Sequence, residues 1–305
     1  MATAREIRRR MNSIRNIGQI TRAMELIAVT RLRRAQQRVL ASRPYADKMR
    51  DVLAEVVARV SPPSGETTYP TEDEARPLHA LLERRATVSR VGVIVLTTDR
   101  GLCGALNANV IRAALQYTYE RQNQERSVDL VVVGRKGLLA LRRQPVTMIA
   151  EFTQLGDYPD ISKVTPIARL VMDAFTNGQL DEVVLAYPRF VSTMRQDPTL
   201  VPLLPIHPPA RPEGEKVAET EYIYEPSAPA VLAALLPRFV EMQVYQAVLE
   251  LAASEFSARM VAMRNASDNA KELLSDLRLG YNKARQTNIT REIIDVASGA
   301  AAGKR

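Results

Sequence analysis

The chain has no tryptophan, one cysteine, two histidines and no proline in its first 43 or last 68 residues. Each scarcity removes a class of function. A single thiol, Cys103, excludes an internal disulfide framework and a cysteine-based zinc site, and fits a reducing compartment. His79 and His207 lie far apart in proline-containing stretches, which argues against a histidine-rich metal centre. With only 5% aromatic residues, the apolar content is mainly Ala, Leu, Val, Ile and Met, which fill helix seams and sheet interiors rather than ligand pockets. No run approaches the ~18 consecutive apolar residues of a membrane-spanning helix. The Arg-rich start continues through Asn12, Arg15, Gln19, Arg22 and Glu25 instead of an apolar stretch, so a cleaved secretory peptide is not expected.

What is present is charge in one place. The 305 residues carry a net charge of +8. Residues 1–43 hold eleven arginines against Glu6 and Glu25, a balance of +9, so the remainder is nearly neutral. The basicity therefore belongs to one segment. Arginine could neutralise nucleic-acid phosphate, but the first aromatic residue is Tyr45, and the segment offers no stacking platform for bases. An acidic protein surface would satisfy the same charge.

Freedom from proline at both ends predicts helices there. Ile7, Met11, Ile14, Gly18, Thr21, Ala28, Leu32, Ala35 and Val39 step by fours and threes, with Glu25 as the discordant member and Met24 and Ile27 thickening the stripe. Phe256, Met260, Met263, Ser267, Ala270, Leu274, Leu277, Tyr281 and Ala284 follow the same alternation. Each helix thus has a seam that needs a partner, and the small residues in both seams permit close approach. At 1.5 Å per residue either helix would extend roughly 90 Å, with Pro44 expected to kink the first.

Between them Val91–Thr97, Val128–Val133 and Glu182–Tyr187 read as buried strands. Ala105–Arg121, Ile161–Asn177 and the shorter Leu138–Arg143 have helical spacing. Alternation of strand and helix implies a mostly parallel, Rossmann-like sheet. Ser61–Pro77 and Pro205–Pro229 are rich in Pro, Glu and Gly and read as linkers or surface loops. The organisation is an N-terminal helix over 1–60, a central α/β domain over 61–230 and a C-terminal helix over 231–305.

A parallel sheet raises the possibility of a nucleotide-using enzyme with helical arms. The loops after the first two strands, Thr98-Asp99-Arg100-Gly101-Leu102-Cys103-Gly104 and Gly134-Arg135-Lys136-Gly137, match neither GxxxxGK[ST] nor GxGxxG. Their glycines are read as allowing tight strand-to-helix turns. Cys103 lacks a histidine base and is read as a buried small apolar residue. The acidic residues form no paired motif, so no catalytic residue, cofactor site or metal site is assigned.

Specificity comes from longer matches. Arg5-Glu6-Ile7-Arg8, Ile20-Thr21-Arg22-Ala23-Met24-Glu25-Leu26-Ile27-Ala28 and Ala41-Ser42-Arg43-Pro44-Tyr45-Ala46 stand at one end. Ala253-Ser254-Glu255, Ala258-Arg259-Met260-Val261-Ala262-Met263, Tyr281-Asn282-Lys283-Ala284-Arg285-Gln286, Ile289-Thr290 and Ser298-Gly299-Ala300 stand at the other. With Asp99–Gly104, Ser192-Thr193-Met194 and Leu203-Leu204-Pro205 between, the sequence resembles the gamma subunit of the F-type ATP synthase over nearly its whole length and in order.

The resemblance implies an α/β fold in which the terminal helices form a long antiparallel coiled coil. It implies a non-catalytic rotor shaft inside a ring of alpha and beta subunits, joined to the epsilon subunit and the membrane c-ring and lying peripherally on the cytoplasmic face of a bacterial membrane. Coupling would arise because an asymmetric shaft presents different contacts to each catalytic subunit. Arg285 and Gln286 resemble positions that hydrogen-bond a loop of the beta subunit, Thr290 and Glu292 lie in the adjoining stretch, and Met24 is implied to lie opposite them in the coiled coil. The family's Ala-rich run is replaced here by the more polar Val29-Thr30-Arg31. The cysteine pair of the chloroplast subunits is absent, so thiol control of that type is not expected. The rival from another class is a coiled-coil scaffold that binds nucleic acid through its basic first helix.

Overall fold

The computed structural model describes residues 4–60, 79–207 and 224–302. The expected linker Ser61–Pro77 lies outside the described residues, as does 208–223 of the second one. Helix α1 runs Ala4–Val60 and helix α5 Ala228–Ala302; between them lie β1 (Arg90–Leu96), α2 (Leu106–Gln122), β2 (Ser127–Val133), α3 (Arg135–Leu141), β3 (Thr147–Phe152), α4 (Ile161–Thr176), β4 (Glu182–Phe190) and β5 (Gln196–Leu204). The chain divides into two compact units, one of residues 1–30 with 259–305 and one of residues 31–258.

In the larger unit the strands are ordered β3-β2-β1-β4-β5. The first four are parallel and β5 runs antiparallel beside β4. Strand alternation sorts the side chains into two layers. Val91, Val93 and Val95, with Val128, Leu130 and Val132, pack on α2 and α3. Ile94, Leu96, Val131, Val133, Val183 and Leu185 pack with α4, with Met49, Leu53 and Val56 of α1, and with α5 from Leu232 to Leu251. Both faces are covered, which is why these strands are almost continuously apolar.

Two strands were not anticipated. Strand β3 is an edge whose side chains alternate between exposed and half-buried, and β5 carries Pro198 and Pro202, residues tolerated in a sheet at an edge. The three expected strands and three expected helices are present within a few residues of their anticipated ends. Helix α1 continues through Pro44. That ring removes a hydrogen bond to the carbonyl of Leu40, and both residues are solvent-exposed, so water can replace the missing donor.

In the smaller unit the anticipated seams are the buried ones. Thr21 and Ala28 are buried, and Ile7, Met11, Ile14 and Gly18 are half-buried, while their neighbours along the helix are exposed. Across from them Met263, Ser267 and Ala270 are buried, and Leu274, Leu277, Tyr281 and Ala284 half-buried. Glu25, discordant by chemistry, keeps its place in the seam at 8% exposure, and Arg22 Nη1 donates to its carboxylate at 2.9 Å. Ile27 does not thicken the stripe: it is 53% exposed, because a position two beyond a seam residue turns to the far side of a 3.6-residue helix.

Candidate functional site

Two regions could carry function: the carboxyl ends of the parallel strands, where doubly wound folds bind ligands, and the surfaces of the paired helices. At the strand ends the chain binds itself. Thr97 Oγ1 donates to the carbonyl of Val133 at 2.8 Å and accepts from the N–H of Gly137 at 2.9 Å. Asp99 Oδ1 accepts from the N–H of Arg135 at 3.0 Å. Asn107 accepts from the N–H of Thr98 at 3.0 Å and donates to Thr98 Oγ1 at 2.8 Å and to the Cys103 sulfur at 3.3 Å. The amides of Thr98, Gly134, Arg135, Lys136 and Gly137, which a phosphate cradle would expose, are thus bonded within the fold. Cys103, at 2% exposure, is the buried residue expected.

Helix α5 closes the same crevice. Val248, Leu251, Ala252 and Glu255 stand over Thr97, Asp99 and Gly134, leaving a space of about 30 Å³. That admits a water molecule but falls far below the roughly 300 Å³ of a small-ligand site. Among the described residues no cluster of His, Cys, Asp and Glu is arranged to hold a metal ion.

The helices pair in opposite directions. In the larger unit Ser42 Oγ donates to Gln246 Oε1 at 2.7 Å, and Arg31 lies over the Phe256 ring, 5.9 Å from its centroid. In the smaller unit Ser267 Oγ donates to the carbonyl of Gly18 at 3.5 Å, and a Cβ placed on Gly18 would stand 3.4 Å from that of Ala270. This register corrects one expectation. Met24 lies about six residues from Gly18, towards Met263, whereas Arg285 lies about fifteen from Ala270 in the other direction, a separation of roughly 30 Å along the pair at 1.5 Å per residue. Met24 therefore does not lie opposite Arg285 and Gln286. Direct pairing of seam positions, not proximity of motifs in the sequence, sets which residues face each other.

Arg285, Gln286, Thr290 and Glu292 are exposed and Met24 is half-buried. The Thr290 hydroxyl donates to the carbonyl of Gln286 at 2.9 Å, so it turns back on its own helix. Beside these residues stands a set of exposed apolar side chains that the sequence reading did not mark as surface. Ile17, Ile20, Leu26 and Ile27 of α1 and Ile289, Ile293, Ile294 and Val296 of α5 are each 47–73% exposed. The signal that could have found them is an apolar residue off the heptad positions, on a helix whose seam is already accounted for.

The profile of the ATP synthase family matches residues 3–302, and the chain is 49% identical over 302 residues to an ATP synthase gamma chain of Roseiflexus castenholzii, covering 99% of both. The chain belongs to the ATP synthase gamma-chain family. A gamma chain of Dehalococcoides mccartyi is 51% identical over 302 residues, again with 99% of each chain covered. Among solved structures, a chain of the Euglena gracilis mitochondrial ATP synthase, OSCP/F1/c-ring in rotational state 3, superimposes with a TM-score of 0.63 at 19% identity, covering 98% of this chain and 94% of that one. A chain of the Tetrahymena thermophila mitochondrial ATP synthase central stalk and c-ring gives 0.57 at 23%, covering 81% of this chain and 99% of that one. At those identities the likeness concerns the fold: an α/β sheet with long terminal helices. As a member of the gamma-chain family the protein is a subunit of an ATP-handling, membrane-associated complex, and no described helix is long and apolar enough to cross a membrane.

Proposed function

We propose that this chain is the central rotor shaft of ATP synthase, coupling rotation to conformational cycling of catalytic sites carried by other subunits. One observation carries the reading beyond family membership. The two helices satisfy their seam with each other, yet leave apolar side chains such as Ile20, Leu26, Ile289 and Ile293 in solvent. Ile20 and Leu26 lie on the outer side of the paired stretch and Ile289 and Ile293 on the part of α5 that runs past the start of α1, and exposed apolar surface of both kinds calls for an enclosing partner.

In this reading the alpha and beta subunits form that sleeve, with Arg285, Gln286, Thr290, Glu292 and Met24 as contact positions, and the epsilon subunit and c-ring join the α/β unit at the cytoplasmic face of the membrane. The guanidinium of Arg285 and the amide of Gln286 supply directional donors for a carboxylate-bearing loop. The basic balance of residues 1–43, part of which is met within the chain at Arg22, Arg31 and Arg38, favours acidic partner surfaces. In this reading the chain's part is mechanical: it binds the three catalytic subunits unequally, which shifts their conformational equilibria.

The test is reconstitution with alpha and beta subunits. ATP hydrolysis with rotation of a probe on this chain is expected of the complex, and robust turnover by the isolated chain would refute the reading.

A further inference from the structure

The loop between β3 and α4 fastens helix α1 to the sheet. Asp157 accepts from two arginines that belong to different elements: Arg31 of α1 at 2.5 Å and Arg100 of the loop after β1 at 3.3 Å. One residue further, Tyr158 lies under the Arg38 guanidinium, 5.1 Å from ring centroid to charge, and its carbonyl accepts from Arg38 Nη1 at 3.3 Å. The Tyr158 ring meets Phe256 of α5 with centroids 6.2 Å apart, and Arg31 covers that same Phe256 ring. Helix α1, helix α5, the β1 loop and the β3 loop therefore converge on two consecutive residues.

Met49, Leu53 and Val56 hold α1 against the sheet by apolar packing, but the hydrophobic attraction itself has no direction. Charge-assisted hydrogen bonds do have direction, and they fix a helix against rotation about its own axis. Seven residues separate Arg31 from Arg38, two turns of one face, so the loop grips α1 at two levels of a single stripe. The pair is partly shielded, with side-chain exposures of 34% for Arg31 and 29% for Asp157, so it is worth more than a fully exposed ion pair and is still reached by salt.

We propose that Asp157 is a positioning residue for torsional coupling: it locks the α/β unit to α1 so that twist applied to the sheet enters the helix without slip. This rests on the rotor reading above, and it adds the place where load crosses from the sheet to the helix. Arg31 and Arg100 are its two anchors, and Tyr158 with Arg38 is the second, weaker grip.

The test uses the chain assembled with its alpha and beta subunits and a rod fixed at Glu120→Cys on the exposed side of α2, with Asp157→Asn, Asp157→Glu and Arg100→Gln compared with the parent. The readout is the angular variance of the rod during pauses. Asp157→Asn is expected to raise it about twofold or more, Asp157→Glu to restore most of the stiffness, and Arg100→Gln to give a smaller rise, because Arg100 is more exposed than Arg31 and its contact with Asp157 is longer. The variance of the parent should also grow between about 0.05 and 0.5 M salt more steeply than that of Asp157→Asn, since the attraction that salt screens is lost with the carboxylate. A variance unchanged in Asp157→Asn, one equally raised in Asp157→Glu, or one with the same salt slope in both would overturn the proposal. If the rod on the parent complex fails to turn with ATP, the rotor reading itself falls and takes the joint with it.

Discussion

Ser267 Oγ on α5 donates to the carbonyl of Gly18 on α1 at 3.5 Å, and the hydroxyl of Thr21 donates to the same carbonyl at 3.1 Å. Two hydroxyls can reach that oxygen because Gly18 has no side chain and Ala270 comes within 3.4 Å of where its Cβ would stand. That distance is ordinary van der Waals contact, so Gly18→Ala should fit, and removal of a helix-interior glycine should stabilise the fold by up to about 1 kcal/mol. Gly18→Leu must push the helices apart and should cost about 1–3 kcal/mol. Thermal unfolding of the two variants beside the parent decides this, and equal melting temperatures would mean that the seam is loosely packed at this level.

Gly134 and Gly104 follow different strands and are needed for different reasons. A Cβ on Gly134 would lie 2.0 Å from the Thr97 carbonyl oxygen, with φ at +93°, while one on Gly104 at φ +58° would meet nothing within 4 Å. Gly134→Ala is therefore expected to cost about 3 kcal/mol or more, since the obstacle is backbone. Gly104→Ala should cost only the ~1–2 kcal/mol of the left-handed conformation. Denaturant midpoints of the two variants measure the difference, and a Gly134→Ala variant as stable as Gly104→Ala would contradict the packing described.

How far the sequence could be read follows from what each feature depends on. The seams depend on spacing, a local property, so every heptad position anticipated in α1 from Ile7 to Val39 is buried or half-buried. Glu25 is buried although its chemistry argues against it, because Arg22 supplies a counter-charge one turn away. Strands β3 and β5 escaped notice because edge strands need neither continuous burial nor freedom from proline. The opposition of α1 and α5 residues is a matter of register between distant segments, and nothing local encodes it. Resemblance alone implies Met24 opposite Arg285, whereas the contact of Gly18 with Ser267 and Ala270 sets the actual register. The positions proposed to face partners rest on resemblance alone, since nothing local in this chain marks them.

Glu250 on α5 provides a test by pH. Burial raises its carboxyl above the ordinary 4.5, and this outweighs hydrogen bonds from the Phe190 N–H and Gln246 and the attraction of Arg43 and Arg189. The neighbouring Tyr187 is pushed up to about 12, by burial first and then by Glu250. A carboxyl with a raised folded pKa favours the fold when protonated, and that contribution is lost as pH rises from the ordinary value through the folded one. Glu250→Gln keeps an acceptor for Phe190 and carries no charge, so it should melt higher than the parent at pH 7. The gap should close as pH falls to about 4, where the parent is itself protonated. A gap independent of pH would remove the charge of Glu250 as its cause.

Gln286 is the sharpest test of the shaft as an element that works through its surface. Its side chain is exposed, as are Arg285, Thr290 and Glu292 around it, so Gln286→Leu removes a hydrogen-bonding amide without opening a cavity in this chain. Surface changes of that kind usually alter stability by less than about 0.5 kcal/mol. The isolated variant should therefore match the parent in helix content and melting temperature. If Gln286 makes the proposed contact, the bonds lost in the reconstituted complex belong to an interface, where leaving a buried partner group unsatisfied costs about 1–3 kcal/mol. If that cost falls on a rotational transition state, turnover should drop by roughly five- to a hundred-fold, or hydrolysis should persist while its coupling to rotation fails. Turnover and coupling equal to the parent, in a complex of the same subunit composition, would take Gln286 off the contact surface.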